Sequence, residues 1–190
     1  ALCQSRYVMV IQAKPRESAI SINIPELTTL LAPWRDATVE VATKGVPPHI
    51  TLLYPWRTPP LASADLESLR AAMGHVHAFS ITLNRFGRFD SNVLFLQPED
   101  DSPIRELMRA LFTAFPDTPP YGGAIPDPTP HLTVAEASGD EQLVQFEREA
   151  GRAIGRYLPL TFQVGHITVV EQDEHGTWHE LAALPLLSSP

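Results

Sequence analysis

A short pattern of proline, histidine and threonine occurs twice in this chain and constrains its fold more than any other feature. The segment Pro48–Leu52 (PHITL) recurs as Pro130–Val134 (PHLTV), nearly half the chain later. Each copy follows a proline-rich stretch that cannot be helical, and each begins a short segment of strand-forming residues. The repeat therefore predicts two equivalent strands in two similar halves of the chain.

The spacing within each copy places its two polar side chains on one face. Residues two apart on a strand point the same way, so His49 projects with Thr51 and His131 projects with Thr133. The apolar residues between them project into the opposite layer. If the halves pack about a pseudo-twofold axis, the two His-Thr pairs meet in a central groove.

Two imidazoles on opposite sides of a phosphate group suit one type of reaction. The neutral ring takes a proton from the attacking water or hydroxyl, and the protonated ring gives one to the leaving oxygen. The threonine hydroxyls can donate to the phosphate oxygens that gain charge. Because an unperturbed histidine has a pKa near 6.5, we expect a rate optimum between about pH 5.5 and 8. The alternatives are chance repetition and a descendant that only binds its ligand.

Elsewhere, segments with helical and strand periodicity alternate along the chain. Helices are predicted at Pro25–Trp34, Ser63–Met73, Ser102–Phe115 and Gly139–Arg156. Strands are predicted at Tyr7–Gln12, His49–Tyr54, Ala78–Arg85, Asn92–Gln97, His131–Ala135, Leu160–Val170 and Trp178–Leu184. Ala13–Ile24 and the proline-rich Pro116–Pro130 are expected to be loops. The order predicts an α+β fold and one domain over residues 1–190, with two similar lobes.

The paired motifs resemble those of the two-histidine (2H) phosphoesterase superfamily, which includes 2′-5′ RNA ligase-like and cyclic phosphodiesterase proteins. Phe86–Phe89, Val93–Leu96 and the C-terminal strands around Trp178 also resemble that family. The resemblance implies a bilobal, pseudo-twofold arrangement of two mixed or antiparallel sheets with flanking helices and an active-site groove between the lobes. It also implies that 2′,3′-cyclic phosphates or 2′-5′ phosphodiester links are acted on without a metal or other cofactor.

A third His-x-Thr copy, His166 with Thr168, lacks the preceding proline and lies inside a longer predicted strand. In the family this strand is structural, so we expect His166 to lie outside the site. A site built on His49 and His166 is the competing arrangement.

The other histidines offer a weaker alternative, a metal-dependent hydrolase. His75 and His77 are two apart, while His175 and His179 are four apart. Four apart is a metal-ligand spacing on a helix, but the intervening Gly-Thr favours a turn or strand, and no cysteine or carboxylate lies at a recognisable ligand spacing. We expect these histidines to be solvated and the site to hold no metal.

Aromatic residues flank both motifs and could contact a base. Tyr54 and Trp56 end the first motif strand, and Tyr121 lies in the proline-rich loop before the second. Stacking on an aromatic side chain tolerates any base. We predict substrate contacts for Tyr54 and Tyr121, and note Arg57 as a possible positive charge near the phosphate.

The charge and composition limit the partners. With 14 basic and 22 acidic residues the formal net charge is −8. An extended duplex footprint needs a basic face, so a small nucleotide or an RNA end is the expected substrate. No apolar run is long enough to span a bilayer. The single cysteine, Cys3, favours a cytoplasmic setting, and we expect a monomer.

These observations lead to a metal-independent phosphodiesterase with His49 and His131 as its catalytic pair. The sequence does not distinguish the acid from the base. The alternatives are a nucleotide- or RNA-end-binding module without turnover, and a 2′-5′ RNA ligase activity in the same groove.

Overall fold

Strands and helices alternate through residues 16–90 and 92–188, which are the residues that this computed structural model describes. The strands are β1 (Ser18–Asn23), β2 (His49–Leu53), β3 (Phe79–Phe89), β4 (Val93–Pro98), β5 (Leu132–Glu136), β6 (Leu160–Val164), β7 (His166–Gln172) and β8 (Trp178–Pro185). The helices are α1 (Thr28–Thr38), α2 (Glu40–Thr43), α3 (Ser63–Met73), α4 (Ser102–Ala114) and α5 (Asp140–Ile154). No helix in these ranges is both long and apolar enough to cross a membrane.

All eight strands belong to one curled sheet in the order β6-β3-β4-β5-β2-β1-β7-β8, and every neighbouring pair is antiparallel. The α+β class is therefore confirmed. The two sheets expected from the sequence are the two halves of this sheet, β6-β3-β4-β5 and β2-β1-β7-β8. The halves join where the motif strands β2 and β5 pair through Ile50 and Leu132.

The elements around this joint repeat in order. In one half, β1-α1-β2 is a pair of antiparallel strands connected through a helix, and β4-α4-β5 has the same form in the other. Each helix crosses to the opposite half, so that α1 packs on β5 and α4 packs on β2. Fully buried apolar residues such as Ile50, Leu132, Leu31 and Leu111 fill the space between the sheet and these helices.

The segment after β8 joins the far ends of the sheet. The Leu187 amide donates to the Val76 carbonyl over 2.8 Å, and the Ala78 amide donates to the Leu187 carbonyl over 2.7 Å. The Leu186 amide also donates to the Gly165 carbonyl over 2.9 Å. These bonds hold the end of β8 against the chain that leads into β3.

The structure corrects two predictions about the strands. Ala13–Ile24 is predicted as a loop, but its second half forms β1, in which apolar Ile20 and Ile22 alternate with small or polar residues. The predicted strand Leu160–Val170 divides at Gly165 into β6 and β7. It divides because β6 pairs with β3 in one half of the sheet while β7 pairs with β1 in the other. The predicted strand Tyr7–Gln12 lies outside the described residues.

Candidate active site

The joint between the two motif strands forms the centre of a cavity of about 340 Å³. Ile50 and Leu132 pair directly across the joint, and both are fully buried on the core side. Continuing this antiparallel register places the histidine of each motif opposite the threonine of the other. The four motif side chains that line this central cavity are His49, Thr51, His131 and Thr133. The structure thus brings together the four residues that the sequence repeat predicted as a site.

Each histidine ring is fixed by the backbone just before its strand. Nδ1 of His49 lies 2.8 Å from the Pro47 carbonyl, and Nδ1 of His131 lies 2.7 Å from the Thr129 carbonyl. Because a carbonyl only accepts, Nδ1 carries the proton in both rings. This assigns the lone pair of each neutral ring to Nε2, which makes no hydrogen bond with the described residues.

The His49 ring is held neutral. Its pKa is lowered from 6.5 to about 4, and burial is the largest cause; the bond to Pro47 opposes the change, and the positive charges of Arg35 and protonated His131 add to it. At neutral pH the free ring is therefore a proton acceptor at Nε2.

The His131 ring has an aromatic environment. Its ring lies edge-on to Phe89 at 4.7 Å and to Phe95 at 5.4 Å between centroids. Burial lowers the pKa of His131 below its usual value, and the hydrogen bond to the Thr129 carbonyl opposes that shift. The two motifs share a backbone pattern, but their surroundings differ.

Neither threonine hydroxyl of the two motifs is bonded to another of the described residues. Thr51 and Thr133 are partly exposed to the cavity, and their Oγ1 atoms make no hydrogen bond in the part of the chain that the structure describes. Both hydroxyls are therefore available as donors to a ligand that sits between the histidines.

Aromatic side chains line one end of the central cavity. Tyr54 lies edge-on to Tyr121 at 5.9 Å and tilted against Trp178 at 6.5 Å between ring centroids. The Tyr54 hydroxyl donates to Glu17 over 2.7 Å, and the Tyr121 amide donates to the Tyr54 carbonyl over 2.6 Å. Burial first, and then the bond to Glu17, raise the pKa of Tyr54 well above its usual range. This end of the central cavity thus combines the apolar faces of aromatic rings with the polar Tyr54 hydroxyl and its Glu17 partner.

Charged residues also line the central cavity. Lys44 forms an ion pair with Glu40, and Glu136 follows the second motif at the end of β5. Burial first, and then the charge of Glu40, raise the pKa of Glu136, whereas Arg35 lowers it.

Three other residues noted from the sequence lie outside the cavity. His166 begins β7 and faces a separate cleft beside Asn23 and Glu180. Trp56 is buried against Phe115, with ring centroids 5.5 Å apart. Arg57 pairs with carboxylates away from the cavity, Asp117 and Asp65.

The remaining histidines are dispersed over the surface. Nε2 of His179 lies 2.8 Å from Asp173, and Nδ1 of His77 lies 2.8 Å from the Ser188 carbonyl. Within residues 16–90 and 92–188, no group of three or more His, Cys, Asp or Glu side chains is arranged to hold a metal ion.

The sequence interpretation missed one buried cation and one strand of the site. Arg35 is only 2% exposed and reaches both motif segments from α1. Ser21 on β1 pairs with Thr51 and lines the cavity. The alternation of Ile20 and Ile22 with the small or polar residues Ala19, Ser21 and Asn23 was a signal for β1. Arg35 had no comparable signal, since an arginine near the end of a helix is usually solvated.

Comparisons with known proteins agree with this architecture. The sequence model of the 2′-5′ RNA ligase superfamily matches residues 25–176. No curated protein matches the chain in sequence.

Several solved structures share the fold. Escherichia coli LigT in complex with NADP⁺ is 18% identical, with a TM-score of 0.58, and the match covers 92% of this chain and 99% of LigT. LigT in complex with 3′-AMP is 16% identical, with a TM-score of 0.55 and the same coverage. The Thermus thermophilus protein TT0787 is 18% identical, with a TM-score of 0.55, and 92% of this chain matches 100% of that one.

Proposed function

Because the chain belongs to the 2′-5′ RNA ligase superfamily, we propose that it is a metal-independent phosphodiesterase. Its substrate is a 2′,3′-cyclic phosphate, or a related cyclic or 2′-5′ phosphodiester, of a nucleotide or an RNA end. His49 and His131 are its acid–base pair. The observation that carries this proposal is the matched fixing of both rings, whose Nδ1 atoms are bound to backbone carbonyls while Nε2 has no partner among the described residues.

The proposed reaction is an in-line displacement at phosphorus. The neutral imidazole removes a proton from water as the water oxygen bonds to phosphorus. The bond from phosphorus to one ribose oxygen breaks, and the protonated imidazole delivers a proton to that oxygen. The products are a phosphomonoester and a free hydroxyl, and the two rings then exchange protons with solvent. If an RNA hydroxyl replaces water as the nucleophile, the same steps join the cyclic phosphate to that hydroxyl and free one ribose oxygen as a hydroxyl, which is the ligase alternative.

We assign the base to His49 and the acid to His131. His49 is the ring whose neutral form is more strongly favoured, because its pKa is lowered to about 4, by burial first and with a further contribution from the positive charge of Arg35. The hydroxyls of Thr51 and Thr133 lie on the same face as the histidines and donate to the two non-bridging phosphate oxygens. In this arrangement the chain's own side chains perform both proton transfers and stabilise the charge.

The size and lining of the cavity support a small substrate. About 340 Å³ is within the range of small-ligand sites, and the formal charge of −8 argues against an extended duplex. LigT has been crystallised with 3′-AMP and NADP⁺, which supports a nucleotide as the ligand class. Tyr54 and Tyr121 would contact its base. A single chain in the cytoplasm is the proposed working unit, since one chain supplies the whole lining and the single cysteine cannot form an internal disulfide.

The proposal is tested by incubating the full chain with nucleoside 2′,3′-cyclic phosphates in excess EDTA and following products by ³¹P NMR. We expect turnover to a phosphomonoester, and a loss of about 10²–10⁴-fold in kcat for His49→Ala or His131→Ala. His166→Ala is the matched control, because that histidine belongs to the third His-x-Thr copy and lies outside the cavity.

Full activity in either motif variant, or activity that EDTA abolishes and a divalent metal restores, would overturn the mechanism. Tight nucleotide binding by calorimetry without turnover over a broad panel would show a binding module instead.

A further inference from the structure

The most unusual buried group in the described chain is the guanidinium of Arg35. It lies near the end of α1, and its side chain is 2% exposed. Nη1 donates to the Thr133 carbonyl over 2.7 Å, while Nη2 lies 3.3 Å from the Pro47 carbonyl and 3.4 Å from the Val46 carbonyl. One side chain thus contacts the backbone of the second motif and the segment that leads into the first.

Arg35 also shares an acceptor with a candidate catalytic residue. The Pro47 carbonyl oxygen that it contacts is the same oxygen that accepts the hydrogen bond from Nδ1–H of His49. That carbonyl sets the orientation and tautomer of the His49 ring. A change at Arg35 therefore reaches His49 through one shared atom.

Burial of this charge is not offset by a direct ion pair. All the hydrogen bonds of Arg35 go to carbonyls, and it makes no ion pair with a carboxylate in the described ranges. Asp36 and Glu136 act on it only at longer range, and burial lowers the pKa of Arg35 to about 10. A buried guanidinium satisfied only by dipoles costs folding free energy, which suggests a role beyond packing.

The other half of the sheet has no equivalent among the described residues. Helix α4 occupies the corresponding place against β2, and its buried residues are all apolar: Ile104, Leu107, Met108 and Leu111. Among the described residues, no guanidinium is hydrogen-bonded to the Thr129 carbonyl that holds His131. The pseudo-twofold symmetry of the two motifs is therefore broken at Arg35.

We propose that Arg35 is a positioning residue, which joins the Thr133 and Pro47 carbonyls and thereby holds the His49 ring in register with the second motif. The inference rests on the proposed function, since it concerns the same two histidines. It goes further by assigning a distinct role to a residue that is not part of the lining of the central cavity.

Several charged groups face His49, and the effect of Arg35 must be separated from theirs. Arg35 approaches from α1, and His131 and Glu136 approach from β5. Glu40 of α2 and Lys44 after it line the same cavity. An Arg35 variant leaves these side chains in place, but it also removes the charge that lowers the pKa of Glu136. The tautomer of His49 therefore reports the guanidinium more directly than its pKa does, because the tautomer depends on the shared Pro47 carbonyl.

The experiment is an imidazole ¹⁵N NMR titration of the full chain and of two variants, with His49→Gln used to assign the His49 signals. In Arg35→Met we expect the pKa of His49 to rise by about 1, because a nearby like charge is removed. The fraction of His49 protonated at Nδ1 should fall, while the His131 signals should change little. Arg35→Lys should keep the low pKa of His49 but disturb its tautomer, because a compact ammonium lacks the planar fork whose two Nη groups reach the two carbonyls.

The matched control is Arg105→Met on α4, whose guanidinium pairs with Asp101 and Asp127 at the surface. It should leave both histidines unchanged. An unchanged pKa and tautomer of His49 in Arg35→Met, or equal changes at both histidines, would overturn the proposal. If Arg35→Met does not fold, an unchanged His49 tautomer in Arg35→Lys overturns it. Because the titration needs no turnover, a failure of this proposal can be distinguished from a failure of the proposed function.

Discussion

His49 and His131 have the same backbone setting and different chemical environments. Both rings donate Nδ1–H to the carbonyl two residues earlier, as expected when the same Pro-His pattern begins both strands. Beyond the backbone, Arg35 lies near one ring and Phe89 and Phe95 lie against the other. A repeat in sequence can thus provide two similar groups that a reaction needs in opposite protonation states.

At the residue scale, the threonine hydroxyls offer a direct prediction. Thr51→Val and Thr133→Val remove one hydroxyl each with little change of volume. We expect each to lower kcat by about 10²–10³-fold, because the hydroxyl donates to oxygens that gain charge during the reaction. The apparent pKa values of the two limbs of the pH–rate profile should not change, since a hydroxyl carries no net charge. The measurement is the pH profile of cyclic phosphate hydrolysis.

Serine is the matched variant at these positions. Thr51→Ser keeps the hydroxyl and should retain most of the rate, whereas Thr161→Val on exposed β6 should have no effect. Equal rates for the valine and serine variants at position 51 would contradict a role for the hydroxyl.

The pH dependence of kcat/KM follows from the two histidines of the free protein. The base must be neutral, so activity falls as the pH drops through the His49 pKa of about 4. The acid must be protonated, so activity falls as the pH rises through the His131 pKa, which lies below 6.5. We expect a bell-shaped profile of kcat/KM, with its maximum between these two pKa values. That maximum should lie at lower pH than the optimum of about pH 5.5–8 that unperturbed histidines would give.

The bound substrate should shift this bell. A phosphate anion between the rings favours their charged forms, so both limbs of kcat should lie at higher pH than those of kcat/KM. Rates measured from about pH 3.5 to 10 with one cyclic phosphate would show the difference. A steady rise to about pH 10, as expected for a hydroxide or tyrosine base, would contradict the two-histidine mechanism.

At the scale of elements, the sequence was sufficient where periodicity was strong. The predicted helix Ser63–Met73 coincides with α3, and the two motif strands begin within a residue of their predicted positions. It was insufficient where tertiary pairing decided the structure. The break at Gly165 depends on which half of the sheet each neighbouring strand joins, and no local pattern encodes that choice.

The proline-rich loop gives the prediction at this scale. Within it, Tyr121 has a left-handed φ of 53°, and its amide is bound to the Tyr54 carbonyl. The loop thus holds an aromatic ring at the cavity wall in a conformation that costs energy, which is common at ligand sites. We expect Tyr121→Ala to lower kcat/KM for a nucleoside cyclic phosphate by about 5–150-fold, the usual value of one base stack.

A substrate without a nucleobase distinguishes a loss of stacking from general damage to the site. Glycerol 1,2-cyclic phosphate should be hydrolysed equally by the wild type and Tyr121→Ala, and alanine leaves the backbone strain unchanged because it keeps Cβ. Tyr157→Ala, at an exposed tyrosine outside the cavity, is the matched control. An equal loss on both substrates would show that Tyr121 supports the site rather than the base.

At the scale of the whole molecule, one sheet replaces the two sheets that were expected from the sequence. The repeat predicted two lobes, but not that the motif strands would pair with each other through Ile50 and Leu132. This pairing makes the two His-Thr pairs neighbours on one surface instead of groups on separate sheets. The relative position of the four side chains is then set by backbone hydrogen bonds.

The chain after β8 should contribute to the stability of this sheet more than to its chemistry. Leu186 and Leu187 form three backbone hydrogen bonds to Gly165, Val76 and Ala78, and Leu186 is buried. Removing residues 186–190 should cost about 4.5–6 kcal/mol, from about 1 kcal/mol for each bond and about 1.5–3 kcal/mol for the leucine. That corresponds to a fall of roughly 9–24 °C in Tm for a chain of this size. Ser188→Ala, at an exposed position of the same segment, is the matched control and should leave Tm nearly unchanged. Because residues 186–188 do not line the central cavity, kcat at a temperature well below Tm should be the same for all three chains. A large loss of kcat in the truncated chain, with Tm preserved, would show that this segment acts on the site rather than on the sheet.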